Sequence, residues 1–379
     1  MTGSIEPFHA SIDQAALDDL RQRIVNTRWP EAETTPDARQ GVSLAKMQDL
    51  CAYWATQYDW RRCERSLNEF GQYQTTIDGL QIHFLHIRSR EPDAVPLILT
   101  HGWPGSILEF LKIIGPLTNP ARHGRDPRSA FHLVVPSLPG YGFSGKPTDA
   151  GWNAQRTAQA WAELMRRLGY ARWFAQGGDW GSVVTRALGQ MKAPGCAGIH
   201  VNLAFIPPLP EDLAALTPDE KSMLDKAKSY QEFGSGYAKQ QSTRPQTLGY
   251  ALNDSPVGQA AWIYEKLLDW TDQQDATKPV LSMDEMLDNI TLYWLTGTAT
   301  SSARFYWENV LTDNVTQVHV PTGITQFDGD LFKASRRWVE RAYPQIVYWN
   351  ESKIGGHFAA WEQPALFADE IIKCFGEMR

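Results

Sequence analysis

"GGDWGS", residues 177–182, is the most informative short motif of the sequence. Its glycine spacing is that of a nucleophile elbow, a sharp turn between a strand and a helix with a reactive side chain at its apex. The predicted strand WFAQ (173–176) precedes it, and the predicted helix GSVVTRALGQM (181–191) follows. The apex residue is Asp179, where most such elbows have serine. Taken alone, the stretch is equally compatible with a glycine-rich turn that carries a solvated aspartate.

Strand and helix patterns alternate on both sides of this turn. Further strands are predicted at PLILT (96–100), FHLVVPSLPG (131–140) and IHVNLAF (199–205), with helices near 106–115 and at 157–170. A hairpin is predicted before them, because YQTTID and LQIHFLHI flank Asp78-Gly79. The pattern predicts an α/β fold, a mostly parallel sheet with helices on both faces, which binds ligands at the carboxyl ends of its strands.

Two helical regions interrupt the alternation. Residues 12–25 and 43–58 have helical spacing, and no strand signal is seen in this leading region. After Pro207-Pro208, helical patterns rich in Trp and Tyr replace the strands until VHVPTGITQF and IVYWNES restore them. The predicted organisation is a helical N-terminal extension that braces core and cap (1–70), the first part of the core (71–206), an inserted helical cap (207–316) and the second part of the core (317–379).

Three further features support the elbow. His101-Gly102-Trp103-Pro104 follows the strand at 96–100, where an α/β-hydrolase supplies one backbone N–H of its oxyanion hole, and Trp103 is the expected donor because proline has no N–H. The residue after the apex, Trp180, is expected to supply the other. His357 follows the last predicted strand, which is where this fold places its base. Asp328 and Asp330 both stand where the acid that orients the base belongs.

A carboxylate at the apex points to attack on an sp³ carbon. A serine would leave an ether there that activated water could not cleave, whereas a carboxylate leaves an ester, whose carbonyl water can attack. The leaving group is then a halide or an epoxide oxygen. An epoxide oxygen leaves as an alkoxide and requires acid donors, and phenols that stay protonated at neutral pH can serve. The predicted cap carries Tyr230, Tyr237, Tyr250, Tyr264, Tyr293 and Tyr306.

The motifs together resemble those of the microsomal-type epoxide hydrolases, a group with insect juvenile-hormone epoxide hydrolases and soluble microbial relatives. The resemblance covers nearly the whole chain, including the leading residues 7–31. It is carried by HGWPGS (101–106), LPGYGFS (138–144), GGDWGS (177–182), residues 241–266, residues 292–309 and GGHFAAWEQP (355–364).

The resemblance implies roles for individual residues. The family's nucleophile falls on Asp179, its general base on His357, and its two epoxide-polarising tyrosines on Tyr237 and Tyr306. Its charge-relay acid falls on Asp330 in Phe-Asp-Gly-Asp (327–330), where an aspartate replaces the family's proline at position 328. The resemblance also implies addition of water to an epoxide, which gives a vicinal diol, with no metal or organic cofactor.

Net charge and cysteine content indicate which kinds of molecule the protein is expected to bind and where it is expected to reside. The formal net charge of −7 leaves no basic face for nucleic acid or anionic lipid, so a small molecule is expected. The four cysteines form no metal or disulfide pattern, and the N-terminus has neither signal-peptide features nor an apolar anchor, so a soluble, cytoplasmic protein of the microbial branch is expected. Many aromatic residues in the cap favour an apolar, aryl or bulky epoxide. A homodimer through the cap or N-terminal region would be unsurprising.

Two alternatives to an epoxide hydrolase remain. A haloalkane dehalogenase would use the same Asp179, and the indole N–H of Trp180 could bind its halide. A hydrolase fold retained as a binding protein without turnover is the other, although such a protein usually lacks part of the catalytic set. The natural epoxide, its selectivity and its role in detoxification or biosynthesis are not encoded in any pattern of the sequence.

Overall fold

A single nine-stranded sheet forms the centre of the protein. The structure, a computed structural model, describes residues 3–272, 280–310 and 316–379. The strands run in the order β1-β2-β3-β5-β4-β6-β7-β8-β9. Their bounds are β1 Glu6–Pro7, β2 Gln72–Ile77, β3 Leu80–Ile87, β4 Val95–Thr100, β5 Phe131–Pro136, β6 Trp173–Gly177, β7 Cys196–Val201, β8 Thr322–Phe327 and β9 Ile346–Ser352.

Helices surround the sheet. They are α1 Gln14–Val25, α2 Leu44–Thr56, α3 Trp60–Asn68, α4 Leu111–Thr118, α5 Ala154–Arg167, α6 Trp180–Gln190, α7 Pro210–Leu213, α8 Pro218–Ser229, α9 Gly236–Thr243, α10 Pro245–Asp254, α11 Pro256–Asp269, α12 Met283–Thr296, α13 Ala299–Asn309, α14 Arg336–Val339, α15 Ala359–Glu362 and α16 Pro364–Gly376. Short 3-10 turns lie at Ala38–Gln40, Ile107–Phe110, Pro120–His123 and Pro127–Ser129, and a π-helical turn at Tyr230–Gly234.

The sheet is parallel over most of its width. Strands β4 to β9 pair in parallel, whereas β1, β2 and β3 form an antiparallel edge. The predicted hairpin between β2 and β3 is confirmed, and both of its turn residues, Asp78 and Gly79, have positive φ. Every residue of β6 and β8 is buried, so helices cover both faces of the sheet there.

The leading region is not purely helical. Residues Glu6–Pro7 form β1, which pairs antiparallel with β2, so the expectation of no strand there is wrong. A strand of two residues is too short to show an alternating pattern, so residue periodicity could not predict it. Its pairing covers the outer edge of β2, which would otherwise present unpaired backbone groups.

Helices α7 to α13 are inserted between β7 and β8. The N-terminal helices contact this inserted block, because α1 and α2 pack against α11, and α3 packs against α12. A buried polar cluster joins α3 to α12: Asp288 accepts hydrogen bonds from the Tyr58 hydroxyl (2.7 Å) and from the Arg62 guanidinium (2.7 and 2.8 Å). Nearby, the Trp54 indole donates to the Thr291 hydroxyl at 2.9 Å.

Asp288 should therefore be important for stability. Asp288→Ala leaves the Tyr58 hydroxyl and the Arg62 guanidinium without their acceptor, and we expect a loss of about 2–3 kcal/mol in the free energy of unfolding, measured from urea transitions. The control is Asp19→Ala, which removes an exposed pair with Arg23 and should cost less than about 0.5 kcal/mol. Equal, small effects of both substitutions would contradict this account of the cluster.

Candidate active site

The turn at residues 177–182 has an unusual backbone. Strand β6 ends at Gly177 and α6 begins at Trp180, and between them Asp179 has φ 50° and ψ −127°. A Cβ at Gly177 would overlap the carbonyl of Gly181, and a Cβ at Gly181 would overlap the carbonyl of Thr100. The glycines are therefore required by close backbone approach, and the tight turn lifts the Asp179 side chain off the end of the sheet.

The Asp179 carboxylate is held by the loop after β4. The backbone N–H of Trp103 donates to Asp179 Oδ1 at 2.8 Å. A Cβ at Gly102 would overlap that carboxylate, so the loop can approach only because this residue is glycine. The N–H of Trp180 lies at the first position of α6, next to Asp179 in the chain, and its role as a second donor stays a prediction.

His101 fixes the same loop from within the core. Its Nδ1 lies 2.9 Å from the carbonyl of Gly102, and its Nε2 accepts from the backbone N–H of Leu138 at 3.1 Å. Burial lowers the pKa of His101 to about 4, so the ring is neutral near pH 7. A neutral imidazole with both nitrogens bonded to backbone serves as a structural brace for the Trp103 N–H.

The loop after β9 brings His357 against two carboxylates. Its Nδ1 lies 2.7 Å from Asp330 Oδ1 and is hydrogen-bonded to it. Its Nε2 lies 3.4 Å from Asp179 Oδ2, which is close enough for an ion pair but does not have the geometry of a hydrogen bond. Asp330 is 1% exposed. Asp328, the other acid considered from the sequence, instead pairs at the surface with Lys333 and Lys353.

These carboxylates control the charge of the imidazole. Burial alone would lower the pKa of His357, but the charge of Asp330 and contacts with Asp179 outweigh burial and raise that pKa well above its ordinary value. In the resting site the imidazole is therefore protonated, with its Nδ1–H on Asp330 and its Nε2–H facing Asp179. Neutralising either acid would lower the pKa of His357 again.

Glu362 positions the loop that carries His357, and the sequence analysis did not identify it. Its carboxylate accepts backbone N–H bonds from Phe358 (2.8 Å), Gly356 (3.0 Å) and Asp272 (2.7 Å). Burial raises its pKa to about 7 despite these donors. The one available signal was a carboxylate within an otherwise apolar stretch of GGHFAAWEQP.

Two tyrosines from the inserted helices lie over the elbow. Tyr237, on α9, stacks on the Trp103 ring at 4.9 Å between centroids, and Tyr306, on α13, packs edge-on against Trp180 at 4.8 Å. Their own ring centroids are 5.9 Å apart. Burial, followed by the influence of neighbouring tyrosines and Asp179, raises the pKa of both phenols well above the ordinary value, so both are protonated near neutral pH.

The hydroxyls of the two tyrosines differ in their contacts. The Tyr237 hydroxyl lies 2.8 Å from that of Tyr230, whereas the Tyr306 hydroxyl has no hydrogen-bond partner within the described residues. The other cap tyrosines lie elsewhere: Tyr250 is 72% exposed, Tyr264 is buried, and the Tyr293 hydroxyl donates to the carbonyl of Gly105. Tyr230 is thus the one further cap tyrosine that reaches this site.

A cavity of about 510 Å³ opens above the elbow. Asp179, Trp180, Tyr237 and Tyr306 line it together with Tyr230. The rest of its wall is mixed: Leu203, Phe205, Val310 and Phe332 are apolar, and Gln155, Arg186 and Lys239 are among the polar or charged lining residues. The cavity therefore places a carboxylate and two phenols around a space of the size that small-molecule sites have.

The chain is similar to known proteins in both sequence and fold. Residues 5–110 match the family model "Epoxide hydrolase N terminus", and residues 95–247 match the model "alpha/beta hydrolase fold". A protein of Stigmatella aurantiaca whose name classes it as an epoxide hydrolase is 55% identical, covering 99% of this chain and 86% of its own. Epoxide hydrolase 1 of Sus scrofa is 36% identical over 98% of this chain and 89% of its own.

Solved structures extend the similarity to the fold. An epoxide hydrolase of Aspergillus niger superposes with a TM-score of 0.89 at 35% identity, covering 99% of this chain and 97% of its own. The juvenile hormone epoxide hydrolase of Bombyx mori superposes with a TM-score of 0.91 at 31% identity. The match covers 100% of this chain and 95% of that one. The chain belongs to the epoxide hydrolase family and has the α/β-hydrolase fold.

The resemblance predicted from the motifs is thereby confirmed. These similarities give no support to a haloalkane dehalogenase. Within residues 3–272, 280–310 and 316–379, the structure contains no helix that is both long and apolar enough to cross a bilayer. The domain boundaries and a cytoplasmic location stay predictions.

Gly102 gives a direct test of the site geometry. Gly102→Ala puts a methyl group into the space of the Asp179 carboxylate and should lower kcat for epoxide hydrolysis about 100-fold, because a displacement near 1 Å costs that much in a positioned reaction. The control is Gly376→Ala at the end of α16, where an added Cβ meets nothing within 4 Å. Full activity of the Gly102 variant would contradict the arrangement, provided that circular dichroism shows both variants folded.

Proposed function

We propose that this protein converts an apolar epoxide to a vicinal diol through a covalent ester on Asp179. One observation carries the proposal, namely the set of groups around one cavity. Asp179 accepts a backbone N–H at one carboxylate oxygen and faces His357 with the other. Asp179 lines the cavity together with two protonated phenols, those of Tyr237 and Tyr306. A carboxylate nucleophile, a base and two acid donors are the groups that such a reaction requires.

In the first step Asp179 attacks the epoxide. Oδ1 is occupied by the Trp103 N–H, so Oδ2 forms the bond to the epoxide carbon. The carbon–oxygen bond of the ring breaks, and the oxygen takes a proton from the Tyr306 or Tyr237 hydroxyl. The raised pKa of each phenol keeps that proton in place until the alkoxide develops.

In the second step water cleaves the ester. Esterification removes the charge of Asp179, so one of the influences that raise the pKa of His357 disappears. The imidazolium passes its extra proton to the tyrosinate left by the first step, and the neutral imidazole can then act as a base. His357 takes a proton from water, and the hydroxide adds to Cγ of Asp179. The Trp103 N–H stabilises the charge that develops on Oδ1, and collapse of the intermediate releases the diol and restores the carboxylate.

The walls of the cavity favour an apolar substrate. The aromatic rings of Trp180, Tyr230, Phe205 and Phe332 offer flat apolar surfaces, so an aryl or otherwise bulky epoxide fits the lining better than a small polar one. The reaction as written consumes only the epoxide and water. It requires no metal or organic cofactor.

Removal of the base should trap the ester. His357→Gln should still be alkylated but fail to release diol, so intact-protein mass spectrometry after exposure to styrene oxide should show a mass gain equal to that of the epoxide. The exposed His319→Gln serves as the matched control and should turn over like the original protein. A His357 variant that stays unmodified while the unaltered enzyme forms diol would contradict the assigned roles.

The tyrosines should control the first step alone. Tyr237→Phe and Tyr306→Phe should each slow ester formation about 10–100-fold in single-turnover experiments, and the double variant should be slower still, because the alkoxide then lacks its proton donors. Tyr250→Phe, at an exposed phenol, is the control and should leave the rate unchanged. Unaltered alkylation in both single variants would exclude the tyrosines as the acids.

A further inference from the structure

A second, much smaller cavity adjoins Asp179. It measures about 20 Å³, which is room for one water molecule. Among the described residues, Asp179 is the one that lines both this cavity and the large one. The small cavity is also lined by His357, Glu109, Gln176 and Asn202, and none of these four lines the large cavity.

Two buried polar atoms belong to residues of this small cavity. Gln176 Oε1 and His357 Nε2 are both buried without a hydrogen-bond partner in the described parts of the chain. The amide of Gln176 is fixed in orientation, because its Nε2 donates to Asn202 Oδ1 at 2.9 Å. Buried polar atoms without protein partners are commonly satisfied by ordered water.

Glu109 contributes a third polar group to the same cavity. It lies in the 3-10 turn Ile107–Phe110, and its carboxyl fits only because residue 105 is glycine, since a Cβ there would overlap Oε1 of Glu109. Burial raises the pKa of Glu109 to about 8, so near neutral pH its carboxyl keeps a proton and can donate it in a hydrogen bond.

We infer that the small cavity holds the water that hydrolyses the ester on Asp179, and that Glu109 and Gln176 fix this water in place for His357. The inference rests on the function proposed above. It gives the two reactants separate positions: the epoxide in the large cavity, the water in the small one, and Asp179 in the wall of both. A bound epoxide then does not need to make room for water before the second step.

The hydrogen bonds of such a water are all accounted for. The neutral imidazole donates from Nδ1 to Asp330, so its Nε2 accepts one proton of the water, Gln176 Oε1 accepts the other, and the Glu109 hydroxyl donates to the oxygen. One lone pair is left for the ester carbonyl. As the oxygen bonds to Cγ, the proton passes to Nε2, and the imidazolium then returns it to the departing alkoxide, which leaves as diol. The second proton of the water is left on the Asp179 carboxyl and passes to His357, which restores the carboxylate and the resting imidazolium.

The test separates the two chemical steps. Ester formation and ester hydrolysis are measured as individual rate constants by rapid mixing with styrene oxide, acid quench and mass spectrometry of the protein. Glu109→Leu should leave alkylation within about twofold and slow hydrolysis about 10–100-fold, so that the ester accumulates. Glu109→Gln keeps a hydrogen-bond donor and should restore hydrolysis to within about fivefold of the original rate.

Glu370→Gln provides the matched control for loss of a buried carboxylate, because Glu370 lies in the core and accepts from Thr325, Tyr348 and Asn350. If Glu109→Leu hydrolyses the ester at the original rate, the inference about the water is wrong. The ester observed in the same experiment would still support the proposed function. Equal slowing of both steps would also overturn the inference about the water, because the residue would then act only through the fold. If no variant, including His357→Gln, shows an ester by mass spectrometry, the proposed function itself is wrong.

Discussion

The backbone conformation of Asp179 is the constraint on which the site depends. A non-glycine residue at φ 50° costs on the order of 1–3 kcal/mol, and the surrounding packing must supply that energy. Close approach of the β4 loop supplies part of it, with the Trp103 N–H on the carboxylate and His101 bracing the loop from the core. In the proposed reaction this strain is coupled to function, because the Trp103 N–H that holds the turn would also stabilise the charge that develops on Asp179.

A second constraint is electrostatic. His357 lies between Asp330 and Asp179, and in the proposed reaction the charge of Asp179 disappears when an ester forms. In the proposed mechanism, ester formation therefore lowers the pKa of His357 and turns it from a proton donor into a base. Tyr237 and Tyr306 of the inserted helices complete the arrangement, because they pack on Trp103 and Trp180, whose backbone adjoins Asp179.

The sequence predicted the parts of this site that are encoded locally. The elbow, the HGWP turn and the histidine after the last strand each lie in a short motif, so Asp179, Trp103 and His357 could be selected in advance. The motifs alone could not decide whether Asp328 or Asp330 contacts His357. Only the fold places Lys333 beside Asp328 and the His357 imidazole beside Asp330. Residue periodicity cannot reveal a contact between residues far apart in the chain, such as the one between Glu362 and Asp272. It also cannot reveal a strand of two residues such as β1.

In the proposed reaction a covalent ester on Asp179 separates two chemical steps. We would test for it by single-turnover hydrolysis of styrene oxide in H₂¹⁸O, with the label followed in the diol and in the Asp179 carboxylate. If the first oxygen transferred comes from Asp179, the first-turnover diol is unlabelled, ¹⁸O enters the Asp179 peptide, and labelled product forms only in later turnovers. A diol that carries ¹⁸O from the first turnover would show direct attack by water and would rule out the ester.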